Sequence, residues 1–191
     1  MDSIFKFKCN GTNYVDSGNA NKNFYDCKNL FAGSVHKTSS HSTMFKSLIT
    51  FDLSNLQPYP ISSAYLCLFV KDINSDTSYY SNDTLSLYKN TCDFDVKSVT
   101  WNTLPPTDSH MHLSITPNDV GKYIKINITY IVNSWIQDDK NYGITLEANN
   151  FYSSLVKLAS ANSSNPPWLL IKYKNHKDIS DYNSNLKTVY Q

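Results

Sequence analysis

The side chains with the richest chemistry in this chain are its histidines, and their spacing argues against catalysis. All five, His36, His41, His110, His112 and His176, fall in segments that read as loop or tail, and no serine occupies a Gly-x-Ser-x-Gly elbow. A nucleophile with an aligned base is therefore not signalled. His110 and His112 are two residues apart and would project together from an extended strand, a weak two-imidazole metal site. Aspartates and glutamates are scattered, so only tertiary geometry could pair two of them for glycoside hydrolysis. Asp16 and Asp52 are candidate calcium ligands, but no compact Asp-x-Asp-x-Asp array surrounds either, and turn or capping bonds account for them equally well. No cofactor is required by any motif, and calcium is the one ion these carboxylates suggest. Cys9, Cys27, Cys67 and Cys92 have no zinc or thioredoxin spacing. Cys9 and Cys27 lie in neighbouring N-terminal segments and are either a disulfide or free half-buried thiols.

A second set of residues points to binding. In Ser63–Val70 the alternation turns Ala64, Leu66, Leu68 and Val70 inward and leaves Tyr65, Cys67 and Phe69 outward. Thr84–Tyr88 repeats it, with Leu85 and Leu87 inward and Ser86 and Tyr88 outward. Trp168 and Leu170 extend such a surface. Tyr65, Phe69, Tyr88 and Trp168 are thus the candidate ligand or interface residues, forming a platform that stacks on sugar rings or a patch that meets another protein. A loop or the N-terminal segment folded over them would instead make them interior.

The elements that must position these residues are strands. Short runs rich in Ile, Val, Leu, Tyr, Phe and Thr alternate with clusters of Asn, Ser, Asp, Gly and Pro, the pattern of an all-β domain. Nine strands are expected: Ile4–Lys8, Asn29–Ala32, Lys46–Leu53, Ser63–Val70, Thr84–Tyr88, Tyr123–Ile128, Gly143–Ala148, Leu155–Ala159 and Trp168–Tyr173. In Tyr123–Ile128, Ile124, Ile126 and Ile128 share the core face, opposite Tyr123, Lys125 and Asn127. One helix is expected over Thr129–Gln137, where Ile131, Val132, Trp135 and Ile136 form a stripe, with Trp135 a core anchor. The expected architecture is a two-sheet antiparallel β-sandwich, jelly-roll-like, with one short helix. It occupies residues 1–174 as a single domain, and 175–191 form a polar C-terminal tail.

Composition narrows the partners. The formal charge is +1 and the 191-residue chain contains no arginine, so no broad field favours nucleic acid, and bidentate phosphate recognition lacks its usual side chain. No apolar run is long enough to span a membrane, and Met1–Lys6 lacks the charged-then-apolar order of a signal peptide.

Taken in order, several motifs resemble one family. Val15-Asp16, Asn23-Phe24-Tyr25 and Leu30-Phe31-Ala32-Gly33 open the series, followed by Lys46–Leu53 and Ser63-Ala64-Tyr65-Leu66-Cys67-Leu68. Then come Val99-Thr100-Trp101-Asn102-Thr103-Leu104-Pro105, Asn127–Trp135, Asn141-Tyr142-Gly143-Ile144 and Pro166–Tyr173. Over about residues 13–173 the chain resembles the DNRLRE domain family, extracellular β-sandwich modules related to carbohydrate-binding modules and to disaggregatase-associated domains. The segment before Val99 reads Phe94-Asp95 where that family usually has Trp-x-Glu, and Tyr25 replaces a loop glycine. These departures leave the fold and weaken any site that depends on arginine or on that loop. Trp101, Asn102, Pro105 and Pro106 are expected to fix a corner, not to bind. The resemblance implies a non-catalytic surface-associated module that binds a polysaccharide or cell-surface glycan. The alternative is a self-assembling structural subunit of a surface layer, fibre, spore coat or spore appendage, with a surface protein or its own copies as partners. Either would act outside the cell or at a cell or spore surface.

Overall fold

The computed structural model describes residues 4–38, 41–56, 59–74, 85–138, 140–149 and 154–174. Among these residues ten strands and one α-helix form: β1 (Ile4–Asp16), β2 (Asn29–Thr38), β3 (His41–Phe51), β4 (Ile61–Asn74), β5 (Leu85–Asn90), β6 (Thr107–Leu113), β7 (Tyr123–Asn127), α1 (Thr129–Asp138), β8 (Ile144–Ala148), β9 (Leu155–Ala159) and β10 (Trp168–Tyr173). Every pairing is antiparallel. The all-β sandwich expected from the sequence is the observed class. The polar segment 175–191 lies outside the described residues.

The two layers are stitched into one hydrogen-bonded network by long strands that serve both. The first layer runs β7–β4–β10–β1, using Ile4–Lys8 of β1. In the second, Cys9–Asp16 of the same strand pairs with β3, and β8, β5 and β6 follow. β9 joins the far half of β4 to the near half of β2, and β2 continues onto β3. The circuit β1–β10–β4–β9–β2–β3 therefore closes on itself, and β6 and β7 are the outermost strands among the described residues.

A strand that changes layers must reverse which of its side chains face the core. In β1 a bulge between Cys9 and Gly11 does this: Phe7 and Cys9 face inward before it, and Thr12, opposite the core residue Ile49, faces inward after it. Gly11 is required there because a Cβ would lie 2.7 Å from Val96 Cγ1. β4 repeats the device between Val70 and Asp72, so that Ala64, Leu66, Leu68 and Val70 point inward and are succeeded by Ile73. β2 turns at Gly33, whose φ of +123° is open to glycine and whose Cβ would sit 2.1 Å from the Ser154 carbonyl oxygen.

Two expectations are corrected. Thr107–Leu113 is a tenth strand, missed because an outermost strand with one neighbour keeps polar residues at most positions and shows little apolar alternation. β1 continues well past Lys8, its Cys-Asn-Gly-Thr-Asn run resembling a loop until β3 supplies the pairing.

The core is formed by the inner faces, including Leu30, Ile49, Leu66, Leu68, Leu87, Leu146, Leu158 and Leu169. Ile126 and Ile128 join it as expected, and Ile124 packs half-buried at its rim. Helix α1 begins where Asn127 Oδ1 accepts the Thr129 amide at 3.0 Å, and the Thr129 hydroxyl accepts the Ala64 amide at 2.9 Å, tying the helix to β4. Its Ile131, Val132 and Trp135 are buried.

Trp135 is 3% exposed, and its indole Nε1 has no hydrogen-bond partner among the described residues. Its contribution is therefore ring packing, offset by an unsatisfied buried donor. Trp135→Ala is expected to cost about 3–5 kcal/mol. Trp135→Phe, which removes the orphan donor and keeps most of the ring, should cost less than half of that by urea unfolding midpoints.

Candidate functional site

The outer face of the β7–β4–β10–β1 layer is built by register. Directly opposed residues of antiparallel strands share a face, so four rows can be read across the sheet. Tyr123 lies opposite Phe69. Lys125, Cys67, Trp168 and Lys8 form the next row, and Asn127, Tyr65, Leu170 and Lys6 the third. Ser63, Lys172 and Ile4 end the face.

Three of these rings make one strip. Phe69 and Tyr123 meet edge to face at 5.3 Å between centroids, and Tyr123 and Trp168 follow at 5.9 Å. Phe69 and Trp168 are half-buried, and Tyr123 remains 37% exposed. The Tyr123 hydroxyl donates to the Pro166 carbonyl at 3.2 Å, which fixes the ring against the loop before β10. Burial raises the Tyr123 pKa, so the phenol stays neutral at physiological pH. Cys67, on the same face, is fully buried under this cover, and burial raises its pKa too.

Among the described residues, the charged side chains on these rows are lysines. Lys6, Lys8, Lys125 and Lys172 all lie on them, and the strand segments that form this face contain no carboxylate. The N-terminal strand does not cover the aromatics. It extends the sheet beside them, and the Lys6 ammonium stands 4.0 Å over the Trp168 ring. A solvent-exposed cation–π contact is worth about 0.5–1 kcal/mol, so a sugar ring could displace Lys6 from Trp168 at small cost.

The four aromatics singled out in the sequence divide between the layers. Tyr65, Phe69 and Trp168 share the face just described. Tyr88 lies on the second layer, opposite His110 and Thr145, with its ring stacked on His110 at 5.2 Å. Tyr123 is the member that was missed: alternation turned it outward, but nothing local revealed that β7 would lie beside β4.

The outer face of the second layer is covered by the Trp101 segment over β1 and β3. Val99 packs with Val15 and Leu48, and Phe94, Trp101 and Leu104 close around them. The fully buried Asn13 holds this segment, donating from Nδ2 to the carbonyls of Val96 and Val99, each at 3.1 Å, while its Oδ1 accepts the Phe24 amide. Asn23 donates to the same Val99 carbonyl at 2.7 Å. Trp101 sits in a single 3-10 turn with the Lys46 ammonium 5.5 Å over its ring, and Lys46 also pairs with Glu147. The signature is a packed corner.

A separate polar recess of about 370 Å³ lies at the end of β5 and β6, lined by Lys89, Asn90, Thr91, Asp108, Lys140 and Tyr142. Lys89 and Asp108 face each other across it at 3.7 Å. It contains one aromatic ring and is remote in sequence and topology from the aromatic strip.

The carboxylates proposed for calcium do not meet. Asp16 stands opposite Phe45 and Asp52 follows Phe51, so they lie at opposite ends of the β1–β3 pair, separated by roughly 20 Å of strand. Asp16 accepts the Asn19 amide at 2.6 Å, and the exposed Asp52 accepts the Ser54 amide at 2.9 Å, a bond that lowers its pKa. Among the described residues no group of three or more His, Cys, Asp or Glu converges.

Nor do Cys9 and Cys27 form a disulfide. All four cysteines are free. Cys9 faces the core opposite Phe51, whereas Cys27 lies beside the Tyr14 side chain, five residues further along β1. Burial pushes the Cys9 thiol up to about 12.

The aromatic strip on a sandwich face is joined by a match in sequence: residues 3–173 fit the model of carbohydrate-binding module family 96. The chain belongs to that family. No relative was found among curated proteins. Family 96 membership suggests a carbohydrate partner and a binding module. The matched span contains every motif from Val15 to Tyr173. No described helix of this family 96 module is long and apolar enough to cross a membrane.

The thiols give a direct check. Denatured without reductant, the module should titrate four thiols with a disulfide exchange reagent, where a Cys9–Cys27 bridge would leave two. In the native state the exposed Cys92 should react first, and the shielded Cys9 and Cys67 last.

Proposed function

We propose that this module binds a polysaccharide along the outer face of β7, β4, β10 and β1. The observation that carries this reading is the contiguous Phe69, Tyr123 and Trp168 strip, flanked by lysines. Sugar rings present C–H faces that pack on aromatic rings, and an open strip suits the interior of a long chain better than an enclosed pocket would. Asn127, Lys8 and Lys125 are exposed beside the strip and supply hydrogen bonds to hydroxyls. The exposed Lys6, Lys8 and Lys125 favour a polymer bearing carboxylate or sulfate groups over a neutral one. The module is of the DNRLRE type that its Val99–Pro105 segment resembles. It acts outside the cell or at its surface, where such polymers occur, and has no catalytic role.

Retardation in gels containing a panel of neutral and anionic polysaccharides, followed by calorimetry, tests the proposal. Trp168→Ala and Tyr123→Ala should each weaken binding at least tenfold, with Tyr88→Ala and Tyr142→Ala unchanged. Affinity for an anionic polymer should fall as salt rises. Wild-type affinity in both strip variants, or loss confined to Tyr142→Ala, would overturn the assignment of the face.

A further inference from the structure

His110 and His112 lie on β6, on the layer opposite the aromatic strip, and neither enters the proposed glycan site. Being two residues apart on a strand, they project from one face. Their ring centroids are 5.1 Å apart, with the rings at 75° to each other. An imidazole nitrogen binds zinc at about 2.0–2.1 Å, which puts each ring centroid about 3.2 Å from the ion, so two rings in a tetrahedral arrangement stand about 5 Å apart. The observed spacing matches.

Neighbouring side chains prepare both rings. Ser86, opposite His112, places its Oγ 3.2 Å from His112 Nδ1 and donates its own proton to Asn149 Oδ1 at 3.0 Å. With that proton committed, the hydroxyl accepts from Nδ1–H of His112, and the lone pair of the ring is left on Nε2. The nitrogen that binds a metal is set by the bond the other nitrogen makes. His110 is held by Tyr88, stacked on it at 26°. Both histidines are exposed.

We propose that His110 and His112 form a two-imidazole site for a borderline divalent transition metal, Zn²⁺, Ni²⁺ or Cu²⁺, with Ser86 as the residue that positions His112. The nitrogen donors disfavour calcium, a hard ion that takes oxygen ligands. The ion's remaining positions open to solvent and are filled by water.

Untagged full-length protein titrated calorimetrically with Zn²⁺, Ni²⁺ and, separately, Ca²⁺ tests this. One transition-metal ion per chain is expected, with no calcium heat from this site. His110→Ala and His112→Ala should each weaken binding at least tenfold, and both positions are exposed enough that the thermal midpoint of the metal-free protein should not move. Ser86→Ala should weaken binding by about tenfold, with Ser86→Thr restoring it. In the metal-free wild type, ¹⁵N spectra should show His112 as the Nδ1–H tautomer, which Ser86→Ala should relax. No binding at millimolar metal, wild-type affinity in both histidine variants, or an Nε2–H tautomer at His112 would overturn the proposal.

Discussion

Closure of the sheet by strands that serve both layers is the constraint on which the rest of the molecule depends. An extended strand alternates its side chains strictly, so a strand that leaves one layer for the other would bury its polar face unless the alternation were reset. The bulge at Cys9 and Gly11 resets β1, and the irregularity at Val70 and Asp72 resets β4. Gly33 gives β2 its turn. Each reset costs one disturbed pairing. Together they let a single hydrogen-bonded circuit enclose one core, with edges confined to the outermost strands.

The proposed binding face is a consequence of that closure. β1 contributes Lys6 and Lys8 to the first layer before its bulge and Asn13 and Val15 to the outside of the second layer after it. One strand thus lines the aromatic strip and anchors the Trp101 segment. The two outer faces then meet different fates. On the second layer, Asn13 satisfies two carbonyls of the Val96–Val99 turn, and an apolar cluster covers the β1–β3 part of the sheet. The first layer keeps its rings half-exposed and its lysines in solvent. Cys67, fully buried at the centre of the aromatic strip, and the bond from Tyr123 to Pro166 hold the rings in place before any ligand arrives. Little ordering entropy is then lost on binding.

Much of this was legible in the chain. The inward set Ala64, Leu66, Leu68 and Val70, the isoleucines of β7 and the Trp135 stripe all follow from local periodicity, and each is where that periodicity put it. Trp101 was legible as a corner because asparagine, a short turn and two prolines leave the backbone little choice. β6 was not legible, since a strand with a single neighbour need not carry an apolar face. Cys9 and Cys27 are free, half-buried thiols, one of the two states the sequence left open, because closeness in sequence across a loop does not decide which points along a long strand face each other.

The sequence by itself therefore determined the faces. Side-chain alternation is a property of each strand alone, and it turned Tyr65, Phe69, Tyr123 and Trp168 outward before any partner was known. Only the tertiary structure decided which outward residues became neighbours. Sheet order rests on pairings between distant segments, and it placed β7 and β10 on either side of β4 while sending β5, with Tyr88, to the other layer. That non-local choice separated Tyr88 from the strip, added Tyr123 to it, and brought His110, His112 and Ser86 together on one side of the opposite sheet.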